Sequence, residues 1–136
     1  ITRQGLTMHE GIVLASMVEQ EVSRPEDRQK VAQVFLARLD RGMKLQSDVT
    51  GFYGAIIDSQ PPSVDYESPY NTYFIDALPV GPISNVSTSS LQAVARPANT
   101  DYLYFVAGDN GNTYFSKTQA EHEALVEKYC IKLCGR

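Results

Sequence analysis

What this chain lacks narrows its possibilities. Its 136 residues include no apolar run near the roughly 18 needed to cross a bilayer, and no signal peptide is visible. With 12 basic against 16 acidic side chains the formal net charge is -4, so there is no basic field to gather nucleic acid or an anionic membrane surface. Only two histidines and two cysteines occur. His9 and His122 complete no metal motif with Cys130 and Cys134, whose spacing is neither that of a CxxC redox pair nor that of a zinc site. The two cysteines fall four apart in what reads as the last helix, which brings them to the margin of disulfide range but seldom into its geometry. They read as unpaired or incidentally bridged, with a functional role as the alternative. Internal repeats and low-complexity tracts are also missing, and the sequon Asn85-Val86-Ser87 reads as a chance match.

What is present fits one globular domain over residues 1–136, with 43% hydrophobic and 21% charged residues. The chain starts at Ile1 rather than Met, which suggests a domain excised from a longer protein with a targeting or anchoring segment upstream.

The chemistry concentrates in the stretch Gly11–Ser23. Leu14, Met17, Val18 and Glu21 recur at i, i+3, i+4 and i+7, one face of a helix predicted from Thr7 to Val22. A carboxylate in an apolar stripe either finds partners or has its pKa raised until it holds a proton near neutrality, as a general acid must. Glu19 competes for that role from the margin of the apolar arc, beside Ser16, and Glu21 is preferred because it falls between Met17 and Leu14. The plain alternative is a Glu21 that reaches solvent or an arginine at the helix end.

A second helix opens with Ser23 and Glu26 at capping-box spacing and Pro25 in the first turn. It carries Val31, Val34, Phe35, Arg38 and Leu39 on one face and stops at Gly42. Arg24, Arg28 and Arg38 read as solvated or salt-bridging, with a place on a cleft wall as the functional alternative. Asp48 looks suited to cap a turn running through Tyr53. Ser59 to Pro69 is proline-rich surface loop, and 70–83 a shaped loop beside one short strand. There, aromatic rings around Asn71 suit a sugar-binding wall, unless the loop is merely packed down by its tyrosines. A short helix from Ser87 to Ala95 turns Leu91, Val94 and Ala95 inward. A β-hairpin follows over Tyr102–Val106 and Thr113–Phe115. Thr118 and Glu121 then cap a last helix with His122, Leu125, Val126, Tyr129 and Leu133 on its face. His122 reads as packed or surface-lying.

Four stretches, LASMVEQE, RQKVAQVFLARLDRGMKLQSD, SPYNTYFIDALPVGPISN and TDYLYFVAGDNGNTYFSKTQAEH, together resemble the catalytic domain of bacterial endolytic murein (peptidoglycan) transglycosylases, the MltG or YceG-like family. The resemblance implies an α+β fold, a lysozyme-like, lytic-transglycosylase-like helical core with a small antiparallel β-hairpin. It also implies that the second glutamate of the E-x-E pair, here Glu21, is catalytic. Apparent counterparts of the wider group's cleft motifs are Lys44-Leu45-Gln46-Ser47 and Pro69-Tyr70-Asn71, so Gln46, Ser47, Asp48, Tyr53, Tyr70, Asn71, Thr72 and Tyr73 are expected at the substrate. Two positions depart from the pattern. Val22 stands where the group usually has serine, and Gln20 where the family commonly has lysine.

The expected activity is non-hydrolytic cleavage of the β-1,4 bond from N-acetylmuramic acid to N-acetylglucosamine, leaving 1,6-anhydro ends. It needs no metal or organic cofactor, and no lysine stands in a pyridoxal-phosphate context. Peptidoglycan glycan strands are the expected partner, cell-wall synthesis enzymes further ones, and nucleic acid none. The full-length protein would be anchored at the outer, periplasmic face of the cytoplasmic membrane. A lysozyme-like hydrolase, which needs a second carboxylate for which Asp48 is the candidate, and a non-catalytic glycan-binding module remain as alternatives.

Overall fold

The computed structural model describes residues 5–134, so Ile1 and Arg136, the expected bounds of the domain, lie outside the described residues. Among the described residues seven elements follow in order: α1 (Met8–Glu21), α2 (Pro25–Asp40), α3 (Asp48–Ile57), α4 (Thr88–Ala95), β1 (Tyr104–Ala107), β2 (Thr113–Ser116) and α5 (Gln119–Tyr129). The class is α+β.

Helix α1 starts where Thr7 and Glu10 exchange side-chain and backbone hydrogen bonds, a capping box that satisfies two otherwise orphaned N–H groups. Its face of Leu14, Ala15, Met17 and Val18 is fully buried and packs with Val31, Ala32 and Phe35 of α2 and Ala93 and Val94 of α4. These three helices form most of the core, which Leu45 and Ile83 complete from the connecting segments. At the start of α2 the expected Ser23–Glu26 capping box does not form. Pro25 occupies the first helical position and confines Arg24 to extended backbone, so Arg24 becomes the cap, one residue later than the box requires. The helix ends as expected. Gly42 has φ +71, and Gly42 N and Met43 N return to the carbonyls of Leu39 and Arg38, a Schellman closure that glycine allows at no steric cost.

Helix α3 is lined with small residues because the 58–87 segment lies directly on it. A Cβ on Gly54 would sit 2.1 Å from Ser68 Oγ. That segment holds no strand, against expectation. Phe74 N and Ile75 N both turn back onto the carbonyl of Asn71, and Pro79 and Pro82 have no N–H, so the donors that a strand would offer are spent or absent. In α4, capped by Ser87, the inward residues are Ser90, Ala93 and Val94, whereas Leu91 and Ala95 are only half-buried.

Strands β1 and β2 pair antiparallel, Tyr104 opposite Ser116 and Ala107 opposite Thr113. Helix α5, capped by the expected Thr118–Glu121 box, packs on this hairpin through Val126 against Val106 and through Tyr129 stacked 3.9 Å from Tyr114. It stops at Tyr129. Cys130 leaves helical backbone with ψ 61, so the expectation that both cysteines lie within the helix is corrected. Outside the helix they bridge, Cα to Cα 5.4 Å, and Leu133 falls beyond the helical face as an exposed residue.

Candidate functional site

Glu21 is the last residue of α1, and Val22 already has extended backbone. Position in the helix therefore places the carboxylate at the rim of the core, over fully buried Leu14, Met17 and Val18. It is half-buried by surface, and enough protein surrounds the carboxyl that loss of hydration dominates its chemistry. Burial raises its pKa from 4.5 to about 7; the Ser47 hydroxyl, donating to Oε1 at 2.5 Å, opposes the rise, and the charge of Asp48 adds to it. Near neutrality Glu21 is then divided between acid and base.

Ser47 is held from beneath. Its N–H donates to Thr72 Oγ1 at 2.8 Å, its carbonyl accepts from Thr50 Oγ1 at 2.6 Å, and the two threonine hydroxyls bond each other at 2.8 Å. The preceding Gln46 has φ +51, a left-handed conformation that costs a side-chain-bearing residue energy, and its N–H is tied to the carbonyl of Thr72. This framework leaves the Ser47 hydroxyl free to point at Glu21 instead of capping α3.

Glu19 faces the opposite environment. Hydrogen bonds from the Ser90 hydroxyl, the Ser87 N–H and the Ser87 hydroxyl, with Arg28 at 3.3 Å, bring its pKa down to about 2. Such a group stays ionised and ties the end of α1 to α4. Because its pKa is depressed, its contribution to stability is present above pH 4.5 and is lost as pH falls toward 2. Glu19→Gln is therefore expected to lower stability by about 2 kcal/mol at pH 7, the difference fading in acid, while activity stays within about tenfold. Chemical denaturation at two pH values checks this. A fully stable but inactive Glu19→Gln would hand the acid's role to Glu19.

The structure brings Gln46, Ser47, Asp48 and Tyr73 of the expected set to the cavity beside Glu21. The expectation that Asp48 caps a backbone turn is corrected. It is the first residue of α3, and Oδ1 accepts from the Tyr73 hydroxyl at 2.5 Å. Burial, with Asp48 next, raises the Tyr73 pKa, which keeps that phenol protonated. Asn71 and Thr72 are fully buried. Asn71 Nδ2 donates to the carbonyls of Val64 and Tyr66 and its Oδ1 accepts from Tyr73 N, so it shapes the loop and presents no side chain to the groove. Tyr53 and Tyr70 pack edge to face at 4.9 Å against the core, outside the cavities at Glu21. Tyrosines do hold this part of the loop down.

Two cavities, about 320 and 380 Å³, lie on either side and share Glu21, Ala107 and Leu133 in their walls. They adjoin at these residues, and together they form a groove that Glu21 lines on both parts. Beside the buried Arg38, its far wall holds residues that were not foreseen there: Tyr104 of β1, stacked 5.3 Å from His122 of α5, and Gln119 of α5. No local spacing marks these residues, since hairpin and α5 meet α2 only in three dimensions. Of the three arginines, Arg28 pairs with Glu19, while Arg24, though exposed, lines the second cavity and Arg38 the first.

Fold and site together define an α+β domain with a raised-pKa glutamate in the wall of an open groove. The profile of the YceG-like family matches residues 1–128, and the chain belongs to that family. It is 41% identical over 127 residues to an endolytic murein transglycosylase of Bacillus subtilis and 31% identical over 138 residues to one of Streptococcus pneumoniae. Those alignments cover 91% and 95% of this chain but only 35% and 25% of the relatives' lengths. The crystal structure of a yceG-like protein from Listeria monocytogenes superposes with a TM-score of 0.81 at 40% identity, over 91% of this chain and 42% of that one.

Proposed function

We propose that this domain is the catalytic part of an endolytic lytic transglycosylase acting on peptidoglycan glycan strands. Its three packed helices would then be a lysozyme-like core. The observation that carries the reading is Glu21, with a pKa near 7, lining both parts of a groove. A groove of that form suits the interior of a strand, and relatives with the corresponding printed activity support the choice.

In this reading protonated Glu21 donates to the glycosidic oxygen between N-acetylmuramic acid and N-acetylglucosamine as the bond from C1 breaks. The resulting carboxylate takes the proton of the muramyl C6 hydroxyl, whose oxygen closes on C1. No water enters, and Glu21 ends protonated again. Ser47 positions the carboxyl, while Gln46, Asp48 and Tyr73 line the adjoining part of the groove for the sugars. Asp48, paired with the Tyr73 hydroxyl, is the sole other carboxylate beside Glu21 on that side, and the pairing weakens it as a nucleophile. Capture by the substrate's own hydroxyl is also favoured by effective molarity, up to roughly 10⁵ M or more in well-oriented intramolecular reactions.

The expected products are fragments ending in 1,6-anhydro-N-acetylmuramic acid, one water lighter than hydrolysis products, cut from strand interiors. Mass spectrometry of digested sacculi reads this directly. Reducing muramyl ends as the main product, with an inactive Asp48→Asn, would replace the reading by a two-carboxylate hydrolase; strand binding without cleavage would leave a glycan-binding module. The same reading places the protein at the outer face of the cytoplasmic membrane of a bacterial envelope, anchored there and near cell-wall synthesis enzymes. An oxidised cysteine pair suits that compartment.

A further inference from the structure

The last described residues are fastened against the groove by two separate clamps. Cys130 and Cys134 close a small ring, and within it the carboxylate of Asp109, in the hairpin turn, accepts the N–H groups of Ile131 (2.8 Å), Lys132 (3.1 Å) and Leu133 (3.0 Å). Asp109 N in turn donates to the carbonyl of Tyr129 at 2.7 Å. The backbone of this loop is thus ordered at several points, which costs conformational entropy.

Yet the ordering does not bury the loop's largest apolar groups. Leu133 is 70% exposed and Ile131 51%. They differ in where they stand: Leu133 lines both halves of the groove at Glu21, and Ile131 lines neither. An apolar side chain on a clamped backbone, beside the reacting carboxyl, offers surface to a ligand that has apolar patches. Glycan strands have them, in sugar ring faces and N-acetyl methyl groups.

We propose that Leu133, presented by the disulfide-closed loop 130–134, is a positioning contact for the glycan strand where the two halves of the groove meet. This rests on the transglycosylase reading. It also means that the cysteine pair, incidental by sequence spacing, holds Leu133 at the groove.

The test measures affinity for soluble, uncross-linked peptidoglycan strands on Glu21→Gln protein, which holds them uncut, together with kcat and KM in the otherwise native chain. Leu133→Ser is expected to weaken binding about fivefold and raise KM to match, with kcat within about twofold. Leu133→Met should restore both, and Ile131→Ser should change neither. Treatment with a dithiol passes two electrons and two protons to the bridge, giving two cysteine thiols and a cyclic disulfide of the reagent. It should weaken binding by the native loop and leave Leu133→Ser unchanged.

Equal affinities across the Leu133 variants, or an equal loss in Ile131→Ser, would overturn the proposal. Unaltered affinity after reduction would overturn the part given to the disulfide. Strands bound in a Leu133-dependent way but never cleaved by the native chain would refute the transglycosylase reading and leave the contact standing. Cleavage indifferent to Leu133 would do the reverse.

Discussion

Glu21→Gln is expected to lose strand cleavage by roughly a thousandfold or more while folding and binding strands normally, because the amide keeps the shape and can neither give nor take the proton. The same variant should be the more stable protein in alkali. Glu21 titrates near 4.5 when exposed and near 7 in the fold, so between those values the folded chain holds the extra proton and stability falls as pH rises. By pH 8 the buried charge costs about 3 kcal/mol, which Gln removes; near pH 4.5 the two proteins should melt together. Gln can still accept from Ser47, so that bond does not confuse the comparison. The native enzyme's kcat/KM should hold below pH 7 and fall about tenfold per unit above it, since the first step needs the acid form. Thermal midpoints at the two pH values and a pH–rate profile measure all of this. A Glu21→Gln chain that is destabilised at pH 8, or that still cleaves, would remove Glu21 from the centre of the mechanism.

Arg38→Met is expected to cost about 3 kcal/mol, lowering the thermal midpoint by roughly 10 °C. Arg38 is 7% exposed and carries no carboxylate partner among the described residues. Instead Nε donates to the carbonyl of Leu103 at 2.7 Å, Nη1 to those of Leu45 at 2.9 Å and Lys44 at 3.4 Å, and the guanidinium lies 5.1 Å from the Tyr104 ring. Burial lowers its pKa, a sign that the cation is held at a cost in hydration. Replacing a buried ion by an apolar side chain is often nearly neutral. Here it is not, because Met fills the volume but leaves the carbonyls without a donor. Those carbonyls belong to the segment leading into Ser47 and to the start of β1, so Arg38 binds α2 to both sides of the groove. Losing that hold should loosen the Ser47 bond that lowers the Glu21 pKa, moving the fall in activity to higher pH. A midpoint within about 2 °C of the native chain, or an unmoved profile, would show that the groove does not depend on this tether.

Much of the scaffold was legible because its signals are local. The start of α1 at Thr7, the Gly42 stop, the Thr118–Glu121 box and the hairpin each depend on residues a few positions apart, and such spacing survives whatever the rest of the chain does. Local reading failed where a neighbour altered the rule. Pro25 displaced the cap of α2 by one residue, and the turns around Asn71 removed the expected strand. Even the choice of Glu21 over Glu19 was local, a matter of angle on one helix.

What the sequence by itself determined is therefore the set of helices, the hairpin and a carboxylate at the edge of an apolar stripe. Tertiary structure alone decided what the two glutamates became. Ser47 is 26 residues from Glu21, and Ser87 and Ser90 are 68 and 71 residues from Glu19, so no spacing could say that one carboxyl would be desolvated and the other saturated with donors. The groove's other wall, with Tyr104, His122 and the loop at Leu133, arises because the hairpin and α5 fold back beside α1. The physical reason is the same throughout. Caps and periodicity are satisfied within one turn or two, whereas desolvation and long-range hydrogen bonds exist only once distant segments exclude water together.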